Sequence, residues 1–197
     1  GRAADVVVHG LVKLKQRYPE LELHLVGHSA GSIFLSPLLA RLGDAGLTAR
    51  TCTLWAPACT HQDFEDFYQP ALTARRGGAK ALEQLTLFML TDAGEQDDNC
   101  ALIYNKSLLY LVAHALERQS RIPGDPRHPG VPLLGMAKFI DPAHPDYKAD
   151  FKKRLDAGGV ECISAPNDDG EGTLTVSKAS RHGDFDNDKR TVLATFS

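Results

Sequence analysis

The chain has 197 residues, a formal net charge of −3 and 43% hydrophobic residues, a composition typical of one globular domain that can bury a core. The small negative charge gives no indication of a nucleic-acid partner, and no apolar run approaches the roughly 20 residues of a membrane span. The N-terminal residues lack the pattern of a signal peptide, and the cysteines lack C-x-x-C spacing. We therefore expect reduced thiols, a cytoplasmic location, and no bound metal or cofactor. The cysteines are Cys52, Cys59, Cys100 and Cys162.

The first half of the chain alternates helical and extended patterns. An apolar stripe predicts a helix over 4–17, and a run of branched apolar residues predicts a buried strand over 21–26. The next helix is predicted to reach Leu42, with a bend or a break at Pro37, because proline cannot donate the helical hydrogen bond. A second strand is predicted over 51–56.

The middle of the chain continues this alternation. The sequence predicts a weak helix around 71–84, a strand over 85–90 and an amphipathic helix over 101–118. Residues 119–147 contain six of the eleven prolines, which predicts a loop or lid and not a second domain.

The last third adds one more helix and strand. A helix near 146–157 is followed by a strand over 160–164 and, after a polar loop, by a short C-terminal helix. Strands that alternate with helices favour parallel pairing. The sequence therefore predicts one α/β domain over residues 1–197, with a parallel sheet flanked by helices.

The most specific motif is Gly27-His28-Ser29-Ala30-Gly31, which has the form G-x-S-x-G. It lies between a predicted strand and a predicted helix, which is the setting of a nucleophile elbow. Glycines at both ends favour a strained turn that exposes the serine hydroxyl. The backbone N–H of Ala30 would then lie at the helix N-terminus, where it can stabilise an oxyanion. The sequence thus predicts Ser29 as a nucleophile.

The order of chemical groups resembles that of the α/β-hydrolase superfamily, in which the serine comes first, an acid follows a later strand, and a histidine follows the last strand. The resemblance covers the chain from the elbow onward and implies that the four strands are adjacent and parallel. The superfamily usually has further strands before the elbow strand, whereas the first twenty residues here look helical. We expect the strand at 21–26 to have an unpaired edge, covered by a second copy of the chain or by an N-terminal segment of a longer protein.

His182 is the predicted general base, because it follows the last predicted strand, where the superfamily places its histidine. His61 also follows a strand and is the reserve candidate. His28 lies within the elbow and is expected to point away from Ser29.

The acid is less well defined by the sequence. Asp97 ends a Gly-x-x-Asp pattern that is often seen after the strand carrying the acid in the superfamily, and it is the preferred residue. Asp98 could serve instead or cap the next helix, Asp92 lies nearer the strand end, and Glu95 is chemically suitable.

The resemblance implies a serine hydrolase that cleaves an ester-type bond of a small-molecule substrate through an acyl-enzyme on Ser29. An acyltransferase or thioesterase would use the same triad with a different acceptor or substrate. A non-catalytic binding or assembly module with this fold is the alternative of a different class, since the loop that usually supplies a second oxyanion donor has no counterpart before the elbow strand.

Overall fold

A computed structural model describes residues 2–73, 78–99, 105–117 and 130–196. Its centre is a parallel four-stranded sheet in the order β1-β2-β3-β4, which confirms the predicted α/β class. The strands are β1 (His24–His28), β2 (Ala49–Trp55), β3 (Leu82–Leu90) and β4 (Glu161–Ala165). Strands that neighbour each other in the chain therefore also neighbour each other in the sheet.

Helical segments connect the strands and cover the sheet. The helices are α1 (Arg2–Arg17), α2 (Gly31–Asp44), α3 (His61–Asp63), α4 (Gln69–Leu72), α5 (Asp92–Asp97), α6 (Leu108–Leu111), α7 (Ala149–Ala157) and α8 (Lys189–Phe196). Two π-helical turns, Phe64–Tyr68 and Val112–Leu116, and one 3₁₀ turn, Ala137–Phe139, complete the regular structure of the described residues.

The two faces of the sheet belong to two apolar clusters, because successive strand residues point to opposite faces. One cluster joins Leu54 of β2 and Leu87 of β3 to Leu39 of α2. The other joins Trp55 and Phe88, the next residues of the same strands, to the segment that precedes α8. Parallel sheets are usually covered on both faces, and this packing fixes the carboxyl ends of the strands, where the candidate site lies.

The structure corrects two predicted element boundaries in the first half. Strand β1 runs to residue 28 and thus includes the start of the G-x-S-x-G motif, whereas the prediction ended at 26. Helix α2 continues through Pro37 without a break. The carbonyl that loses its hydrogen bond belongs to Ile33, which is 44% exposed, so water can replace the missing donor.

Two predicted helices are also wrong in part. The predicted helix over 71–84 ends at Leu72, and β3 already begins at Leu82. The helix predicted over 101–118 begins only at Leu108 in the described part of the chain, with the Ser107 side chain as its N-cap. Residues 74–77, 100–104 and 118–129, on which parts of these predictions and of the predicted lid fall, lie outside the described residues.

Strand β1 is at the edge of the sheet and pairs with β2 alone among the described strands, as the sequence analysis expects. None of the helices in the described ranges is long and apolar enough to cross a membrane. Three cysteines are described, and all three are free thiols, with Cys52 and Cys59 buried and Cys162 partly buried. Cys100 lies outside the described residues.

Candidate active site

Ser29 lies in a strained turn between β1 and α2. Its φ angle is +50°, in the left-handed region that residues other than glycine rarely adopt. Such strain persists only where the surrounding structure fixes the backbone, and it is concentrated at functional sites. The conformation is the one that the G-x-S-x-G motif predicts for a nucleophile elbow.

Backbone hydrogen bonds hold this turn on both sides. The N–H of Ser29 donates to the carbonyl of Trp55 at 2.9 Å, and the carbonyl of Ser29 accepts from the N–H of Ala58 at 3.2 Å. The same carbonyl accepts from the Ser32 hydroxyl at 2.7 Å, and that hydroxyl in turn accepts from the N–H of Cys59 at 3.0 Å. The end of β2 and the start of α2 together therefore determine the position of the strained serine.

Only one of the two motif glycines is required by packing. A Cβ atom at Gly27 would lie 2.8 Å from the Leu35 side chain and 3.2 Å from both the Leu54 side chain and the backbone of Gly31, so these neighbours would have to move to admit another residue. A Cβ atom at Gly31 would meet no atom within 4 Å. The first glycine thus permits the helix to pack against the strand, a role in addition to the strained turn that the motif predicts for both glycines.

His182 and Ser29 lie within hydrogen-bonding distance although 153 positions separate them in the chain. The His182 Nε2 atom is 2.9 Å from the Ser29 Oγ atom. His182 is only 7% exposed. Its loop is fixed by Asp184, whose carboxylate accepts hydrogen bonds from the N–H groups of Ser180 and Arg181 at 3.1 and 2.9 Å. The structure therefore brings the predicted nucleophile and the predicted base together.

Of the candidate acids, Asp98 is the one that contacts the histidine. Its Oδ2 atom accepts a hydrogen bond from the backbone N–H of His182 at 2.8 Å, and Asp98 is buried. Asp97, the residue preferred from the sequence, is the last residue of α5 and is exposed. Its carboxylate has no hydrogen bond or ion pair with any residue of the described ranges. The geometry thus favours the neighbouring aspartate.

The second nitrogen of the His182 ring, Nδ1, takes no part in the contact with Ser29. This atom is buried and has no hydrogen-bond partner among the described residues. When Nε2 accepts a hydrogen bond from Ser29, Nδ1 carries the proton and points its donor toward the interior. A carboxylate that already contacts the same residue, as Asp98 does, is suited to accept this hydrogen bond when the ring becomes charged.

Burial determines the protonation of His182. Its pKa is lowered to about 4, mainly by desolvation and in smaller part by the neighbouring His28, while the charge of Asp98 acts in the opposite direction. The ring is therefore neutral at pH 7 and can accept a proton from the serine hydroxyl.

Ala30, the predicted oxyanion donor, is the N-cap residue of α2. No acceptor for its backbone N–H is found in the described part of the chain. The positive end of the helix dipole and a free N–H beside the nucleophile are both suited to a developing negative charge.

An open depression of about 350 Å³ adjoins the histidine. It is lined by His182 together with Asn99, Leu108 and Arg181. In the first turn of α2, shortly after Ser29 in the chain, Ile33 and Phe34 are 44% and 46% exposed.

The reserve base, His61, lies in an aromatic cluster. Its ring stacks on Phe151 with a centroid distance of 3.5 Å and contacts the edge of Phe139 at 5.3 Å. Burial lowers its pKa to about 3. The histidine that is hydrogen-bonded to Ser29 is His182, so His61 has a packing role in this structure.

The other two candidate acids have structural contacts. Asp92 accepts a hydrogen bond from the Tyr110 hydroxyl at 2.5 Å and lies 3.6 Å from His144. Glu95 is 1% exposed and accepts a hydrogen bond from the Ser107 hydroxyl, while its Oε1 atom has no partner among the described residues. These carboxyl groups connect α5 to α6 and to the loop before α7.

The burial of Glu95 leads to a prediction about how the stability of the protein depends on pH. Burial raises its pKa from 4.5 to about 8, the Ser107 hydrogen bond opposes this, and the charges of Asp98 and Asp92 add to it. The folded protein therefore keeps Glu95 protonated at neutral pH, whereas the unfolded chain releases the proton above about pH 4.5. Stability is lost as the pH rises between these two values, because only the unfolded state loses the proton there.

We expect Glu95→Gln to raise the free energy of unfolding by on the order of 2 kcal/mol at pH 7.5, because the amide stays uncharged in both states. Thermal or urea denaturation measures the change. The gain should disappear at pH 4, where the glutamate is protonated in both states. The exposed Glu20→Gln serves as control and should leave stability unchanged at both pH values. A variant less stable than the wild-type chain at pH 7.5 would show that Glu95 is folded in its ionised form.

Comparisons of the chain with models of protein families, with curated proteins and with solved structures return no match. The function of the site is therefore inferred from its own geometry.

The sequence does not predict the contacts that two residues of the site, Asp98 and His28, make with His182. Asp98 was an alternative only, because adjacent aspartates cannot be distinguished without the end of α5. For His28 the sequence predicts only that it points away from Ser29, and it does not predict the contact of 2.8 Å between its Nε2 atom and the carbonyl oxygen of His182. A histidine inside the elbow motif was the only available signal, and it does not identify the partner.

Proposed function

We propose that this chain is a serine hydrolase of the α/β-hydrolase type that cleaves ester-type bonds through an acyl-enzyme on Ser29. The observation that carries the proposal is the hydrogen bond of 2.9 Å between Ser29 in its strained turn and the buried, neutral His182. A serine is a weak nucleophile unless a base lies within hydrogen-bonding distance, and a base of this kind needs an acid that orients it. Asp98 is the residue we assign as that acid, in place of Asp97.

In the proposed reaction, the Ser29 Oγ atom attacks the acyl carbonyl as the His182 Nε2 atom accepts its proton. The Ala30 N–H stabilises the oxyanion, and the Asp98 carboxylate stabilises the imidazolium. His182 then gives the proton to the leaving alcohol as the tetrahedral intermediate collapses to the acyl-enzyme. Water, deprotonated by the same histidine, releases the acyl group and restores the serine.

The test is hydrolysis of p-nitrophenyl acetate, butyrate and octanoate by the chain and by Ser29→Ala. We expect turnover by the wild-type chain and none above background by the variant, since alanine keeps the fold but has no nucleophile. A folded wild-type chain that hydrolyses none of these esters or the corresponding thioesters would contradict the proposal and favour a binding module. Product analysis with an added alcohol would distinguish an acyltransferase, which forms a new ester, from a hydrolase.

The pKa of His182 predicts the acid limb of the activity. Only the neutral ring can accept the proton of Ser29, so kcat/KM should fall as the pH drops through about 4 and should be nearly constant from pH 5.5 to 8. Short assays over pH 3.5 to 8, with circular dichroism at each pH, measure the limb separately from unfolding. A half-maximal rate near pH 6.5 would show that burial does not lower the pKa of the base.

A further inference from the structure

Both backbone groups of His182 are hydrogen-bonded to side chains. The N–H donates to the Oδ2 atom of Asp98, and the carbonyl oxygen accepts from the Nε2 atom of His28, each at 2.8 Å. A carbonyl can only accept, so Nε2 of His28 must carry a hydrogen. Together with the bond from the ring to Ser29, these contacts connect the loop of the histidine to the end of β1, to the turn that follows it and to the end of α5.

The ring of His28 is itself held in place. It contacts Trp55 at 6.5 Å and Phe185 at 6.3 Å between ring centroids, and it lies 5.3 Å from the ring of His182. Aromatic neighbours at these distances restrict the rotamers of the ring. Its donor therefore has a defined direction toward the carbonyl of His182.

The position of His28 in the chain explains what this bond can do. It directly precedes Ser29, so the hydrogen bond joins the strand that carries the nucleophile to the loop that carries the base, across 154 positions. That loop, between β4 and α8, has no regular structure of its own in the described residues. A displacement of about 1 Å in a catalytic pair can lower the rate on the order of 100-fold.

We propose that His28 is a positioning residue, which sets the distance between Ser29 and His182 by donating a hydrogen bond from its Nε2 atom to the backbone carbonyl of His182. The inference rests on the proposed function in that it assigns this distance a role in catalysis. His28 does not touch the reacting atoms and acts through His182 alone.

Three substitutions of His28 test the proposal, because they keep, displace or remove the hydrogen-bond donor to the carbonyl of His182. In His28→Gln the amide nitrogen lies at nearly the same distance along the side chain as Nε2, whereas in His28→Asn it is one methylene too short. His28→Leu keeps the apolar volume and removes the donor. We expect kcat within about fivefold of wild type for His28→Gln and lowered 10- to 100-fold for the other two, with KM within twofold in all three.

The pH profile of activity gives a second readout, which depends on the charge of the His28 ring and not on its hydrogen-bond donor. The groups that act on the pKa of His182 are His28, which lowers it, and Asp98, which raises it. All three variants remove the ionisable ring, so the acid limb of the active His28→Gln variant should move to higher pH. A general loss of stability would not move this limb.

The readouts separate failure of this inference from failure of the proposed function. An active wild-type chain with a folded His28→Leu variant of unchanged kcat would overturn the inference alone. If the wild-type chain is inactive, the ¹H–¹⁵N signals of the His182 ring still test it. We expect these signals to be unchanged in His28→Gln and broadened or shifted in His28→Leu, and identical signals in both variants would overturn the positioning role.

Discussion

Replacing His182 with alanine is expected to lower kcat for ester hydrolysis by a factor on the order of 10⁶. The reason is geometric, because the ring is the proposed proton acceptor and lies 2.9 Å from the Ser29 hydroxyl. The loss should match that of Ser29→Ala, and the double variant should be no worse than either single one, since the two residues act as a unit.

The matched control for this substitution is His9→Ala, which changes an exposed histidine of α1 and should leave kcat unchanged. Initial rates with p-nitrophenyl butyrate measure both variants, and circular dichroism confirms that both are folded. A His182→Ala variant that keeps more than a tenth of the wild-type rate would contradict the role of the histidine as base.

The second large effect distinguishes the two adjacent aspartates. Asp98→Asn keeps an oxygen that can accept from the His182 N–H but removes the charge that stabilises the imidazolium. We expect kcat to fall by up to a factor on the order of 10⁴, the loss that follows when an acid bonded directly to the ring of a triad histidine is replaced by its amide. Asp97→Asn changes an exposed carboxylate and should alter kcat by less than twofold.

The two variants are matched, since each replaces one carboxylate by one amide at neighbouring positions of the chain. Steady-state kinetics at pH 7.5, well above the acid limb of His182, compares them. If Asp97→Asn lost activity and Asp98→Asn did not, the residue preferred from the sequence pattern would be the acid, and Asp98 would serve only to hold the loop.

The fold class could be predicted because the strands are apolar runs bounded by turn residues. The predicted helix over 71–84 is wrong at its end because Ala79, Lys80 and Ala81 favour a helix locally, while Leu82 and Gln84 are paired with β2. Pairing between strands is a tertiary interaction that local propensity does not contain.

The sequence predicts some residues of the site and not others, because some belong to a local motif whereas others depend on contacts between distant parts of the chain. Ser29 belongs to a local motif with a backbone conformation of its own. The acid depends on where α5 ends, since Asp97 is the last helical residue and Asp98 the extended residue that turns inward. The bond between His28 and His182 spans 154 positions, and no local pattern records it.

The most direct test of the account is labelling with a fluorophosphonate probe, followed by peptide mass spectrometry to locate the adduct. Such probes phosphonylate serines that a neighbouring base activates. We predict one adduct, on Ser29, which is absent from His182→Ala although the serine is still present. A folded chain that is not labelled, or an adduct on another serine, would contradict the claim that Ser29 and His182 form an activated pair.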